Sequence, residues 1–164
     1  MRKRIIRLTT GAVIASLYVL FTFLSFSFAS GAVQLRLSEA LCILPYFTPV
    51  AIPGLFIGCL LANLVTGSAI WDVIFGSLAT LIGAVGSYLL RRHRWLVPLP
   101  PILANAIIVP LIIIYTSGAP TWTPSLYFGM VATVGLGEVL SCGVLGMLLM
   151  KALRTYQKHI FKDQ

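Results

Sequence analysis

LSEALCILPYFTPVAIPGLFIGCLLANLV, from Leu37 to Val65, is the stretch that decides the fold. It is apolar enough to enter a bilayer, yet Pro45, Pro49 and Pro53 interrupt it. Proline inside a helix removes a backbone donor and clashes with the preceding turn, so one straight helix cannot run through this stretch. It crosses a membrane either once or twice. In the second case, short helices near residues 38–47 and 53–65 are joined at Thr48-Pro49, and a re-entrant hairpin would give the same parity.

Charge chooses between these paths. Outward from the stretch, four apolar runs at about residues 5–28, 70–90, 99–116 and 122–153 are each long enough to cross a membrane, since about 20 helical residues span the ~30 Å hydrocarbon core. The basic residues cluster beside the ends of these runs: Arg2, Lys3, Arg4 and Arg7; Arg91, Arg92 and Arg94; Lys151, Arg154, Lys158 and Lys162. Two crossings bring all three clusters to one side, the cytoplasmic one under the positive-inside rule, and leave only Arg36 outside. The expectation is therefore an all-α integral membrane protein of six transmembrane helices, helices 2 and 3 short and both termini cytoplasmic. Residues 1–164 form one transmembrane domain. The last run exceeds one crossing and should tilt, or bend near Gly135 and Gly137.

Composition agrees. Of 164 residues, 59% are apolar and 10% charged, outside the range of a soluble globular chain. The net charge of +8 is explained by loop ends, without an aromatic-interleaved nucleic-acid face. The basic start and Ala29-Ser30-Gly31-Ala32 superficially resemble a secretory leader, but the apolar run is too long for one and further spans follow. Cys42, Cys59 and Cys142 are scattered among apolar residues and read as buried small hydrophobes. His93 and His159 have no second ligand nearby, so neither metal nor cofactor is expected.

Chemistry is concentrated in few residues. Glu39, Asp72 and Glu138 fall in or at the edge of spans, where an ionisable group costs at least ~2.5 kcal/mol unless paired or hydrated, so each is a candidate site residue. Two crossings carry Arg36, Glu39, Asn63, Trp71, Asp72, Tyr115 and Trp122 to the external helix ends. Asn105 and Glu138 sit deeper, where an interhelical hydrogen bond is the rival reading. The indoles and Tyr115 suit either an interfacial belt or ligand contact, and Arg36 with Glu39 suits a local ion pair. Small residues at Gly54, Gly58 and Ala62, and at Gly76, Thr80, Gly83 and Ser87, have helix-packing spacing. Gly11 with Ala15 and Ala12 with Ser16 form two further rows, for helix packing or a partner. The chain lacks a phosphate-loop motif, a nucleophile elbow and a metal-ligand pair on one helix, so it does not read as an ATPase or other enzyme.

At Gln34-Leu35-Arg36-Leu37-Ser38-Glu39-Ala40-Leu41 and Ile52-Pro53-Gly54-Leu55-Phe56-Ile57-Gly58 the chain resembles the QueT family, S components of energy-coupling factor transporters for queuosine precursors. The likeness continues through Trp71-Asp72, Pro98-Leu99-Pro100-Pro101, Asn105-Ala106 and Gly137-Glu138. It departs at Pro110, where the pattern has glycine, and at Gly143, where it has a larger residue. The resemblance implies a six-helix bundle in the cell membrane with an outward pocket for a 7-deazaguanine base, such as a pre-queuosine base or queuine. It also implies partnership with a T component and two ATPase subunits, which dock on the face carrying Gly11, Ala12, Ala15 and Ser16. Under it, Glu39, or alternatively Glu138, accepts the N–H edge of the base, and Asp72 meets an aminomethyl cation. Arg36, Asn63 and Asn105 serve the ligand's acceptors, and Trp71 or Trp122 stacks on its ring. Two other readings are a stand-alone proton-coupled transporter using the buried carboxylates, and an intramembrane enzyme.

Overall fold

The structure, a computed structural model, describes residues 1–29, 35–117 and 122–160. Ser30, Gly31, Ala32, Gln34, Lys162 and Asp163 lie outside the described residues. The elements are α1 (Arg2–Ala29), a 3-10 helix (Leu37–Tyr46), α2 (Ala51–Val65), α3 (Ser77–Leu89) entered through a π turn (Asp72–Gly76), and α4 (Leu99–Thr116). Then α5 (Pro124–Glu138) runs through a π segment (Val139–Leu145) into α6 (Gly146–Ile160). The described residues contain no strand.

The four long apolar spans appear where expected, as Arg2–Ser25, Asp72–Leu89, Arg94–Thr116 and Pro124–Gln157. The proline-broken stretch resolves into two shorter apolar helices, which completes six helical segments. Its first half is a 3-10 helix of ten residues, about 20 Å long at ~2.0 Å per residue. Such length is unusual for this tighter winding, and burial explains its survival: every residue from Ser38 to Pro45 is buried, between α1, α3, α6 and the π segment. Beyond Pro45 the chain turns, with the amides of Phe47 and Thr48 both donating to the Leu44 carbonyl at 2.9 and 3.1 Å. The irregularity of the last run is the π segment that begins at Val139, just after the glycines at which a bend is expected.

Glycines set the helix spacing. A Cβ on Gly54 would lie 2.9 Å from the Gly11 carbonyl oxygen, and one on Gly58 would lie 2.8 Å from Tyr18 Cβ and 3.0 Å from Ala15 Cα. α1 and α2 therefore pack backbone to backbone and run parallel. The 3-10 helix runs against both: Leu37 N–H donates to Ser25 Oγ (3.3 Å), while Leu41 and Leu44 share a groove with Thr10, Ile14, Leu149 and Leu153. The stretch thus traverses the bundle and returns. Arg94 lies in a groove with Lys151 and Arg154, and Leu153 neighbours Thr9 and Thr10. The start of α1, the turn before α4 and the basic part of α6 consequently occupy one end of the bundle.

Candidate functional site

Glu39, on the first turn of the 3-10 helix, is fully buried. Its carboxyl is held from two elements. Tyr18 of α1 donates its hydroxyl to Oε1, and Cys42, one turn on, donates its thiol to Oε2 at 3.0 Å. Tyr18 is buried because its helix face lies on Gly58, and a buried phenol needs a partner for its hydroxyl. Just before Glu39, the Arg36 amide donates to Ser141 Oγ (3.2 Å), tying the start of the 3-10 helix to the π segment. The half-buried Arg36 side chain interacts through space with both Glu39 and Glu138.

Glu138, the last residue of α5, and Asn105, in the middle of α4, are both buried. The Asn105 side chain lies close against the Glu138 carboxyl but outside hydrogen-bonding geometry, so that Glu138 Oε2 and Asn105 Nδ2 have no hydrogen-bond partner. Ser38 Oγ, beside Glu39 in the chain, has none either. An unmet buried polar atom costs about 1–3 kcal/mol. The Glu138 and Asn105 atoms leave an acceptor and a donor open to a polar ligand.

A second polar chain connects α2 with α3 and the π turn before it. Asn63 donates to the Asp72 carbonyl oxygen (3.2 Å) and to Cys59 Sγ (3.6 Å), and Thr80 donates to the same sulfur (3.3 Å). Cys59 in turn lies in the electrostatic field of Glu39 and Arg36. Asn63 is fully enclosed and Asp72 half-buried.

The structure therefore buries Glu39, Asn105 and Glu138 in the interior, with Arg36 half-buried at the start of the 3-10 helix, and ties Asn63 to Cys59 and to the backbone of Asp72. It keeps the aromatic candidates on the surface. Trp71, 41% exposed, meets Tyr115 edge-on (5.4 Å) and stacks on Phe75 (5.9 Å). Trp122, 62% exposed, stacks on Tyr127 (6.1 Å). On α1, Gly11 and Ala15 face α2, whereas Ala12 and Ser16 are exposed. All four line a groove of about 750 Å³ with Pro53 and Ile57.

Tyr18 and Ser141 are not singled out by the sequence, and Cys42 and Cys59 read there as buried small hydrophobes. The three cysteines are buried and free, but Cys42 also bonds the Glu39 carboxyl and Cys59 accepts from Asn63 and Thr80. Tyr18 carried a usable signal, a polar-tipped ring in mid-span on the face of Gly11 and Ala15.

No curated protein and no solved structure matches the chain. The sequence profile of the QueT transporter family, in contrast, matches residues 8–155, a range reaching from the first turns of α1 into α6. A helical bundle with spans apolar enough for a membrane, enclosing polar groups that converge from several helices, is an architecture fit for a membrane transporter, and the chain belongs to the QueT transporter family.

Proposed function

We propose that this chain is the substrate-binding S component of an energy-coupling factor transporter, capturing a 7-deazaguanine base outside the cell with both termini in the cytoplasm. In this reading a T component and two ATPase subunits drive delivery inward. Family membership supports the transporter role. The observation that carries the ligand class is the Glu138–Asn105 pair, whose buried Oε2 and Nδ2 lack hydrogen-bond partners. A guanine-like edge presents adjacent N–H donors beside a carbonyl oxygen. A carboxylate and an amide N–H are the matching set, and the carboxylate bonds are charge-assisted.

The two acids differ in readiness. Both oxygens of Glu39 already accept, from Tyr18 and Cys42, whereas Glu138 keeps one unused. Glu138 is accordingly assigned the ligand's donor edge. Glu39 anchors the 3-10 helix and offers its remaining lone pairs. Asp72 serves an aminomethyl cation, with Arg36 and Asn63 toward the ligand's acceptors. Trp71, Tyr115 and Trp122 sit at the rim, where ring stacking requires the external helix ends to close inward on binding.

Titration calorimetry on the purified chain in nanodiscs, with a pre-queuosine base and with queuine, tests the reading. Saturable binding is expected, and uptake in cells only when the ATPase partners are present. Absence of saturable binding for every 7-deazaguanine removes the ligand class. Uptake without ATPase partners replaces the coupling mechanism with proton-driven transport through the buried carboxyls.

A further inference from the structure

A groove of about 820 Å³ lies between the turn preceding α4 and the outer face of the π segment and α6, and neither buried carboxyl lines it. Its composition is graded. Val144, Met147 and Leu148 form its apolar wall, and Lys151 and Arg154 continue the same stripe one and two turns on. Residues three or four apart share a helix face, so the charge follows directly on the apolar wall. The opposite wall supplies Arg94 and Trp95, with the Arg94 guanidinium carbon 5.1 Å from the indole centroid. Among the described residues lining the groove there is no carboxylate, so three exposed cations face one space without a counter-charge. Leu148 and Trp95 are 59% and 72% exposed, leaving the apolar part open sideways.

We infer that this groove is a binding site for an anionic phospholipid. The phosphate lies among Arg94, Lys151 and Arg154, and an acyl chain lies along Met147 and Leu148. Two features select a lipid over a soluble anion. The apolar wall is continuous with the basic one in the direction a lipid's tail and head follow. The indole beside Arg94 is of the kind enriched at headgroup depth. Basic pockets between membrane helices are suited to anionic head groups, and the missing carboxylate provides the charge complementarity. The inference does not depend on the ligand assigned to Glu138.

The test uses the full chain in detergent, with phosphatidylglycerol, phosphatidylcholine and inorganic phosphate as probes. Native mass spectrometry after delipidation should show phosphatidylglycerol retained over phosphatidylcholine, and phosphatidylglycerol alone should raise Tm. The triple variant Arg94→Gln, Lys151→Gln, Arg154→Gln should lose both effects while keeping its helical circular dichroism. If that variant fails to fold, Leu148→Trp, which fills the apolar half and leaves the charges in place, should lose retention instead. Equal retention of the two lipids, a Tm shift reproduced by phosphate, or a folded variant that retains phosphatidylglycerol as the parent does would each overturn the site. So would cross-linking of position 151 to another transporter subunit with no lipid retained.

Discussion

Removing a carboxyl from water inside a membrane bundle is costly unless partners meet it, and Glu39 and Glu138 are met to different extents. Tyr18 and Cys42 satisfy Glu39, so Tyr18→Phe removes one donor and leaves Oε1 short of it. Destabilisation of about 1–3 kcal/mol is expected, read as a lower Tm in detergent. Glu138 has an oxygen with no partner to lose, so Glu138→Gln should leave Tm nearly unchanged. It should still weaken 7-deazaguanine binding roughly 10- to 100-fold, the equivalent of one charge-assisted hydrogen bond. Calorimetry and thermal unfolding on the same preparation separate these outcomes. If Glu138→Gln melts early and binds normally, the residue is a structural tie between helices.

At the level of elements, association in lipid depends on close approach of backbones, and the glycines differ sharply in how much room they leave. A Cβ on Gly83 would lie 2.6 Å from Pro101 Cα, whereas one on Gly129 meets nothing within 4 Å. Gly83→Ala should therefore cost about 1–3 kcal/mol through overpacking. Gly129→Ala should be neutral or gain up to ~1 kcal/mol from helix propensity. Thermal unfolding of both variants checks the contrast, and equal effects would refute the α3–α4 packing. The α1 rows follow the same logic. Ala15 lies on Gly58, so a bulky residue there would separate α1 from α2. Ser16 is exposed, its hydroxyl donating to the Ala12 carbonyl (2.9 Å). Ser16→Trp should thus abolish uptake by the assembled transporter while sparing ligand binding; normal uptake would count against partner docking on this face.

For the molecule as a whole, the contacts that put Arg94 beside Lys151 and Arg154, and Leu153 beside Thr9, make sidedness a single binary choice. In the proposed orientation, which follows the positive-inside rule, that end faces the cytoplasm. Because Cys42, Cys59 and Cys142 are buried, a cysteine introduced as His93→Cys offers a clean site for an impermeant maleimide. Intact cells should leave it unlabelled and permeabilised cells should label it. Reaction from outside would invert the bundle and place the proposed ligand mouth on the wrong face.

Much of this protein was legible without coordinates. The spans follow from the lengths of the apolar runs, and their parity follows from where the arginines and lysines cluster. The isolation of Glu39, Asn105 and Glu138 among apolar residues marks them out because burying polar groups in hydrocarbon is costly. Tertiary structure alone decided the partners. Tyr18 meets Glu39 across 21 positions, and Arg36 meets Ser141 across 105. No local periodicity encodes which helix faces which. Tertiary burial also supports a ten-residue 3-10 helix that local propensity would not sustain. Sequence thus determined which groups require an explanation inside the membrane. The packing of parallel and antiparallel helices determined which of them already have one, because the choice between a satisfied and an unsatisfied carboxyl is made by side chains far away in the chain.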